Sequence, residues 1–185
     1  MGRKKYIFVQ VSDKIYKSEA WASFGGKIGE DQDVILTRVG SPKAATDRVV
    51  EACQSVRHGS FCVYLQWHLG RGDVELGQVI SLGSCRGSRD LARFVYSGLN
   101  SMVLGEGVQS KINCDYNDLE IERHPGMQDL VSLHDASGKK CAPVIFRPMS
   151  ERNRKANENF NDPGRMRIMG TMLAQQCIRF IERYA

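Results

Sequence analysis

The side chains that could do chemistry are few, and they cluster just after short apolar runs. Such runs read as strands, and at the carboxyl ends of strands in an open α/β sheet reactive groups gather. The residues in those places are Ser12 and Asp13, Arg38, Trp67 and His68, Gly83 and Ser84, His134 and Asp135, and Arg147. Of the four histidines in the chain, only His68 and His134 lie there, and either could ligate a metal or accept a backbone hydrogen bond. A second kind of chemistry is suggested by the basic group Arg147, Arg152, Arg154 and Lys155, broken by Glu151 and followed by an asparagine-rich stretch to Asn161. It reads as a solvated loop or as a contact for an anionic partner, and no base-stacking aromatics interleave it. A third is the run Gly83-Ser84-Cys85-Arg86-Gly87-Ser88, whose amides with Arg86 or Arg89 could hold an anion at a helix start, or in which Ser88 simply caps that helix.

The elements that must position these groups are legible from periodicity. Residues 6–11 and 33–37 form two strands, rich in β-branched residues, with a weak helix over 18–28 that Gly25 and Gly26 should end or distort. Ser41 and Pro42 open a helix with a stripe of Val49, Val50, Cys53 and Val56 before Gly59. Strands at 61–67 and 79–82 follow, and Ser88 caps a helix on which Leu91, Phe94, Val95, Leu99 and Met102 recur. Short strands are expected at 108–112, 119–121, 130–133 and 142–146. Asp162-Pro163-Gly164 then opens a terminal helix with Met169, Leu173, Cys177, Phe180 and Tyr184 on its inward face. Alternation of strand and helix predicts a single α/β domain over residues 1–185, a mostly parallel twisted sheet with helices on both faces and right-handed crossovers throughout. Phe8, Val34, Leu36, Val63, Leu65, Val79, Leu91, Val95, Ile145, Leu173 and Phe180 are its expected core.

Composition bounds the function class. The chain has 185 residues, with 42% hydrophobic and 25% charged, close to globular averages, and no apolar run long enough to span a bilayer. No membrane role is expected. The basic start lacks a secretory apolar segment, and the six cysteines form no CxxC pair, so reduced thiols and a cytoplasmic location are expected. The net charge of +5 is modest and interleaved with acids, which permits an anionic partner. No Walker A loop, no GxGxxG after the first strand, no GxSxG and no HExxH occurs, which removes the common nucleotide-binding and hydrolase signatures.

Several segments, taken in order, carry a resemblance. Asp33-Val34-Ile35-Leu36-Thr37-Arg38 resembles the V-x-L-T-R strand of the zinc-dependent N-acetylmuramoyl-L-alanine amidases of cell-wall hydrolysis. Asp47-Arg48-Val49 with Ala52 is similar to that family's R-v-x-x-A-N helix, with Cys53 where the Asn would be. Ser88-Arg89-Asp90-Leu91-Ala92 is similar to its S-x-x-L-A helix start, and Ala142-Pro143-Val144-Ile145-Phe146 to the strand before its catalytic glutamate. The resemblance implies an amidase-like fold and locates the family's metal site. The first ligand, a histidine in a G-H-G-G turn, corresponds to Val11-Ser12-Asp13-Lys14 here. The second, a helix-start glutamate, corresponds to Glu19, and the third, a histidine closing an S-I-H-A-N strand, to Gln66 or His68 by register. The catalytic glutamate corresponds to Arg147 or Pro148. Another register sets Val131-Ser132-Leu133-His134-Asp135-Ala136 against S-I-H-A-N, at the expense of the V-x-L-T-R spacing.

Zinc hydrolysis needs three protein ligands, an open position and a carboxylate base. The resemblance therefore implies an amidase-like fold without its zinc site, holding no cofactor and acting as a binding or assembly component for a macromolecular partner, a protein above all. Its expected contact is Arg147, Arg152, Arg154 and Lys155. The alternative is a zinc-dependent peptidoglycan amidase of phage-lysin type, with Asp13, Glu19 and His68 as ligands, and a virion component is compatible with either reading. A further alternative is a basic nucleic-acid-associated protein.

Overall fold

The structure, a computed structural model, describes residues 5–39, 62–70, 77–81, 85–101, 110–113, 141–148, 158 and 161–184. Its strands are β1 (Lys5–Val11), β2 (Val34–Val39), β3 (Cys62–Trp67), β4 (Gly77–Ser81), β5 (Ser110–Asn113) and β6 (Cys141–Arg147). Its helices are α1 (Asp13–Tyr16), α2 (Glu19–Gly29), α3 (Arg86–Ser101) and α4 (Pro163–Tyr184). The expected helix at 41–59 and strands at 119–121 and 130–133 lie outside the described residues.

The six strands form one sheet in the order β2-β1-β3-β6-β4-β5. β1 pairs in parallel with β2 and β3, and β3 with β6, in a register that aligns Val11 with Trp67 and Trp67 with Phe146. The mostly parallel α/β fold is therefore as expected. One direction is not: β4 runs antiparallel to β6, with Gln78 opposite Arg147. The cause is the connection, because residues 68–76 between β3 and β4 are fewer than the dozen or so that a parallel crossover needs.

Central strands buried on both faces read as continuous apolar runs, and every residue of β3 is buried. Ile7, Val9, Val63, Leu65, Trp67, Val144 and Phe146 join the inward faces of α2, α3 and α4 in one core. Phe8, Tyr64, Gln66 and Ile145, in the alternate positions, are buried as well, and Gln66 Nε2 donates to the Tyr64 hydroxyl at 3.1 Å. Of the expected core, Leu36 is only half-buried.

α2 corrects the expected break at Gly25 and Gly26. Ala20, Phe24 and Ile28 bury fully along one stripe, and Phe24 packs edge-on to Trp67 at 5.6 Å between centroids. Burial of that stripe outweighs about 1 kcal/mol per glycine. α4 packs along α2 and is capped as its sequence suggests, with Asp162 Oδ1 accepting from the amides of Gly164 and Arg165 at 2.8 and 3.1 Å. At the crossing a Cβ on Gly170 would lie 1.9 Å from the Ala20 carbonyl oxygen, so only glycine permits this approach. α3 begins two residues before the expected cap. Ser88 lies inside the helix, and its hydroxyl donates to the Pro143 carbonyl on β6, so it ties helix to sheet instead of capping.

Candidate functional site

The carboxyl ends of β1, β3 and β6 meet at one edge. Pairing runs past the strands, with the Ser12 amide donating to the Trp67 carbonyl and the His68 amide to the Phe146 carbonyl, both at 3.1 Å. This fixes Ser12, His68 and the end of β6 as neighbours along the edge. α1, which has no apolar periodicity of its own, turns the chain from β1 into α2 there.

The side chains at this edge are largely engaged with one another. Asp13 Oδ1 lies 3.5 Å from Arg38 Nη2, and the Arg38 guanidinium sits 3.4 Å over the Tyr16 ring. Glu19, first residue of α2, accepts from Arg167 Nε of α4 at 3.2 Å. That pair depends on the close crossing, because Glu19 precedes Ala20 and Arg167 lies one turn before Gly170. His68 is half-buried, with Nδ1 3.2 Å from the Leu69 carbonyl, a contact that requires Nδ1 to carry the ring proton. Arg147 turns sideways, and its Nη1 donates to Gln78 Oε1 on β4 at 3.4 Å. Beneath these groups, among the described residues, Ser12 Oγ and Trp67 Nε1 are buried without a hydrogen-bond partner. The Trp67 ring is held by Trp21, Phe24 and Phe146.

No family model matches this chain, and no curated protein matches its sequence. Solved structures match its shape. The catalytic domain of CwlV, an N-acetylmuramoyl-L-alanine amidase from Bacillus (Paenibacillus) polymyxa var. colistinus, aligns over 97% of this chain and 98% of its own, at TM-score 0.61 and 8% identity. The fold is amidase-like. The apo Ami1 amidase of Mycobacterium abscessus aligns over 97% of this chain and 99% of its own, at TM-score 0.59 and 7% identity. The CwlD amidase of Clostridioides difficile, solved in complex with the GerS lipoprotein, aligns over 98% of this chain and 100% of its own, at TM-score 0.57 and 11% identity.

Within this amidase-like frame Asp13, Glu19 and His68 all lie toward the carboxyl edge, but no group of three or more His, Cys, Asp or Glu side chains comes together among the described residues to hold a metal ion. Arg152, Arg154 and Lys155 lie outside the described residues. Two contributors escaped the sequence: Arg167, which answers Glu19 from 148 residues away, and Tyr16, which carries Arg38. Neither has a local signal, because both matter only through packing. No described helix is long and apolar enough to cross a membrane.

Proposed function

We propose that this chain is a non-catalytic binding component built on the amidase-like fold. The observation that carries the reading is the engagement of two candidate zinc carboxylates by guanidinium groups, Glu19 by Arg167 and Asp13 by Arg38. A zinc ion would have to displace both cations and bear the charge of a third, Arg147, where the resemblance calls for a general base. Among the described residues no three His, Cys, Asp or Glu donors come together around one point. Losing the base alone would lower a hydrolytic rate roughly 10²- to 10⁴-fold.

A fold can outlive one chemistry and serve another, and CwlD was solved in complex with a lipoprotein. The partner proposed here is a macromolecule, a protein in an assembly, met by Arg147 and the basic stretch through Arg152, Arg154 and Lys155. Buried cysteines without disulfides at 62, 85 and 177 fit a reducing compartment, and a cytoplasmic location belongs to the same proposal. The test is incubation of the purified protein with peptidoglycan, alongside metal analysis. No soluble peptide and no stoichiometric zinc are expected. Peptide release abolished by a chelator and by His68→Ala would install a zinc amidase instead.

A further inference from the structure

At the opposite edge of the sheet, the start of α3 lies beside the beginning of β6, since Ser88 bonds Pro143, and the end of α4 packs against it. Here two arginines flank one carboxylate, and a third lies over the adjoining rings. Asp90, with a side chain only 14% exposed, lies 3.7 Å from Arg86 Nε and 3.5 Å from Arg93 Nη1, and accepts from the Tyr184 hydroxyl at 3.0 Å. Arg183 lies 5.9 Å over the rings of both Phe94 and Tyr184. Arg86 and Arg93 keep 86% and 67% of their side chains in solvent, and Tyr184 is 38% exposed. Two guanidiniums on this carboxylate and a third over the adjoining rings leave these four groups net positive, to which the amino end of α3 adds its partial positive charge.

We infer that this α3–α4 patch binds single-stranded nucleic acid. All three cations are arginines, whose planar forks match phosphate oxygens, and Asp90 with the two rings holds them in place. The Tyr184 ring, partly exposed although it packs on Phe180 at 4.8 Å between centroids, adds aromatic surface among them, the combination that binds a strand through phosphate contacts and base stacking. Along the sequence no aromatic interleaves the basic residues at 147–155. The fold supplies one here by bringing residue 184 to residues 86–94. The patch lies away from the carboxyl edge, so the inference holds whether or not that edge carries a metal.

The test uses the full chain and a fluorescein-labelled 20-mer of oligothymidylate, followed by anisotropy between 50 and 200 mM salt. Binding that weakens with salt is expected. The triple variant Arg86→Ala, Arg93→Ala, Arg183→Ala should bind about tenfold or more weakly, with the salt slope reduced by about 0.7 for each phosphate that is no longer neutralised. Tyr184→Ala should weaken binding roughly fivefold or more at an unchanged slope, while Tyr184→Phe, which keeps the ring, should not. A control of equal charge change, Lys17→Ala, Lys27→Ala, Arg165→Ala, should bind within about twofold of the parent at constant salt. Circular dichroism and thermal midpoints establish that each variant is folded. No binding at 50 mM salt, equal weakening in the two triple variants, or displacement by polyglutamate as effective as by unlabelled oligonucleotide would each overturn the inference.

Discussion

The seam between α2 and α4 and the carboxyl edge of the sheet share residues yet are built on opposite principles. Along the seam Ala20, Phe24, Met169, Leu173 and Cys177 are fully or almost fully buried, and Gly170 brings two backbones into direct approach. At the edge the same two helices meet through Glu19 and Arg167, with side chains 49% and 61% exposed. Burial is worth about 25 cal/mol per Å² of apolar surface, whereas an exposed ion pair contributes roughly 0–1 kcal/mol. The seam therefore holds the fold and the edge is free to change. That division fits a chain that keeps an amidase-like fold at 7–11% identity to the solved amidases.

The largest expected effect lies deep in the seam. Burial pushes the Cys177 thiol up to about 12 from 9.0, so its thiolate fraction at pH 8 falls roughly a thousandfold below that of an exposed cysteine. Alkylation of the native protein should spare Cys177, with labelling by mass spectrometry only after unfolding. Rapid native labelling would show that the seam opens. Because the folded thiol titrates above the unfolded one, the neutral form's contribution to stability is intact below about pH 9 and is lost as pH rises from there towards 12.

Next in size is Leu173→Ala, which leaves a cavity among α2, α4 and the sheet and should cost about 2–5 kcal/mol in urea unfolding. An unchanged midpoint would mean that α4 does not face the core. Gly170→Ala should cost about 3 kcal/mol, because its methyl meets the backbone of Ala20, which cannot move aside. Gly98→Ala provides the contrast: its Cβ would meet Met172 Sδ at 2.4 Å, the flexible part of a side chain, so about 1 kcal/mol is expected. If both glycine variants are destabilised equally, the seam is no more rigid than the packing of α3 on α4.

Much of this is legible in the sequence, and the exceptions have physical reasons. β1, β3, β6 and α4 follow from apolar runs and from the Asp162-Pro163 opening, all of them local signals. α2 reads as weak because propensity counts its glycines but not the burial of Phe24 and Ile28, a tertiary gain. The direction of β4 is written in the short link after β3, a constraint of length that alternation of elements overlooks. Ser88 has the side chain of a cap but serves a sheet contact 55 residues away. At the carboxyl edge Asp13, Glu19 and His68 can be found from the strand ends and the resemblance. Their arginine partners cannot, because Arg38 and Arg167 reach them only across the folded chain.

The smallest expected effect is the most informative about the edge. In a double-mutant cycle, Glu19→Gln and Arg167→Gln should show a coupling below about 1 kcal/mol that fades with salt, as for an exposed pair. The same variants report on zinc. A ligand that binds only the folded state raises stability by RT ln(1 + [L]/Kd), about 2.7 kcal/mol at a hundredfold excess over Kd. If the edge holds no zinc, the thermal midpoint of the parent is unchanged by adding the ion, and Glu19→Gln behaves alike with and without it. If Glu19 were a ligand held in reserve by Arg167, removing the arginine would release it, and Arg167→Gln would gain a zinc-dependent rise that Glu19→Gln lacks. That outcome would turn the arginine from a structural partner into a gate on a metal site, and the exposed pair at the carboxyl edge would have a role that the buried seam lacks.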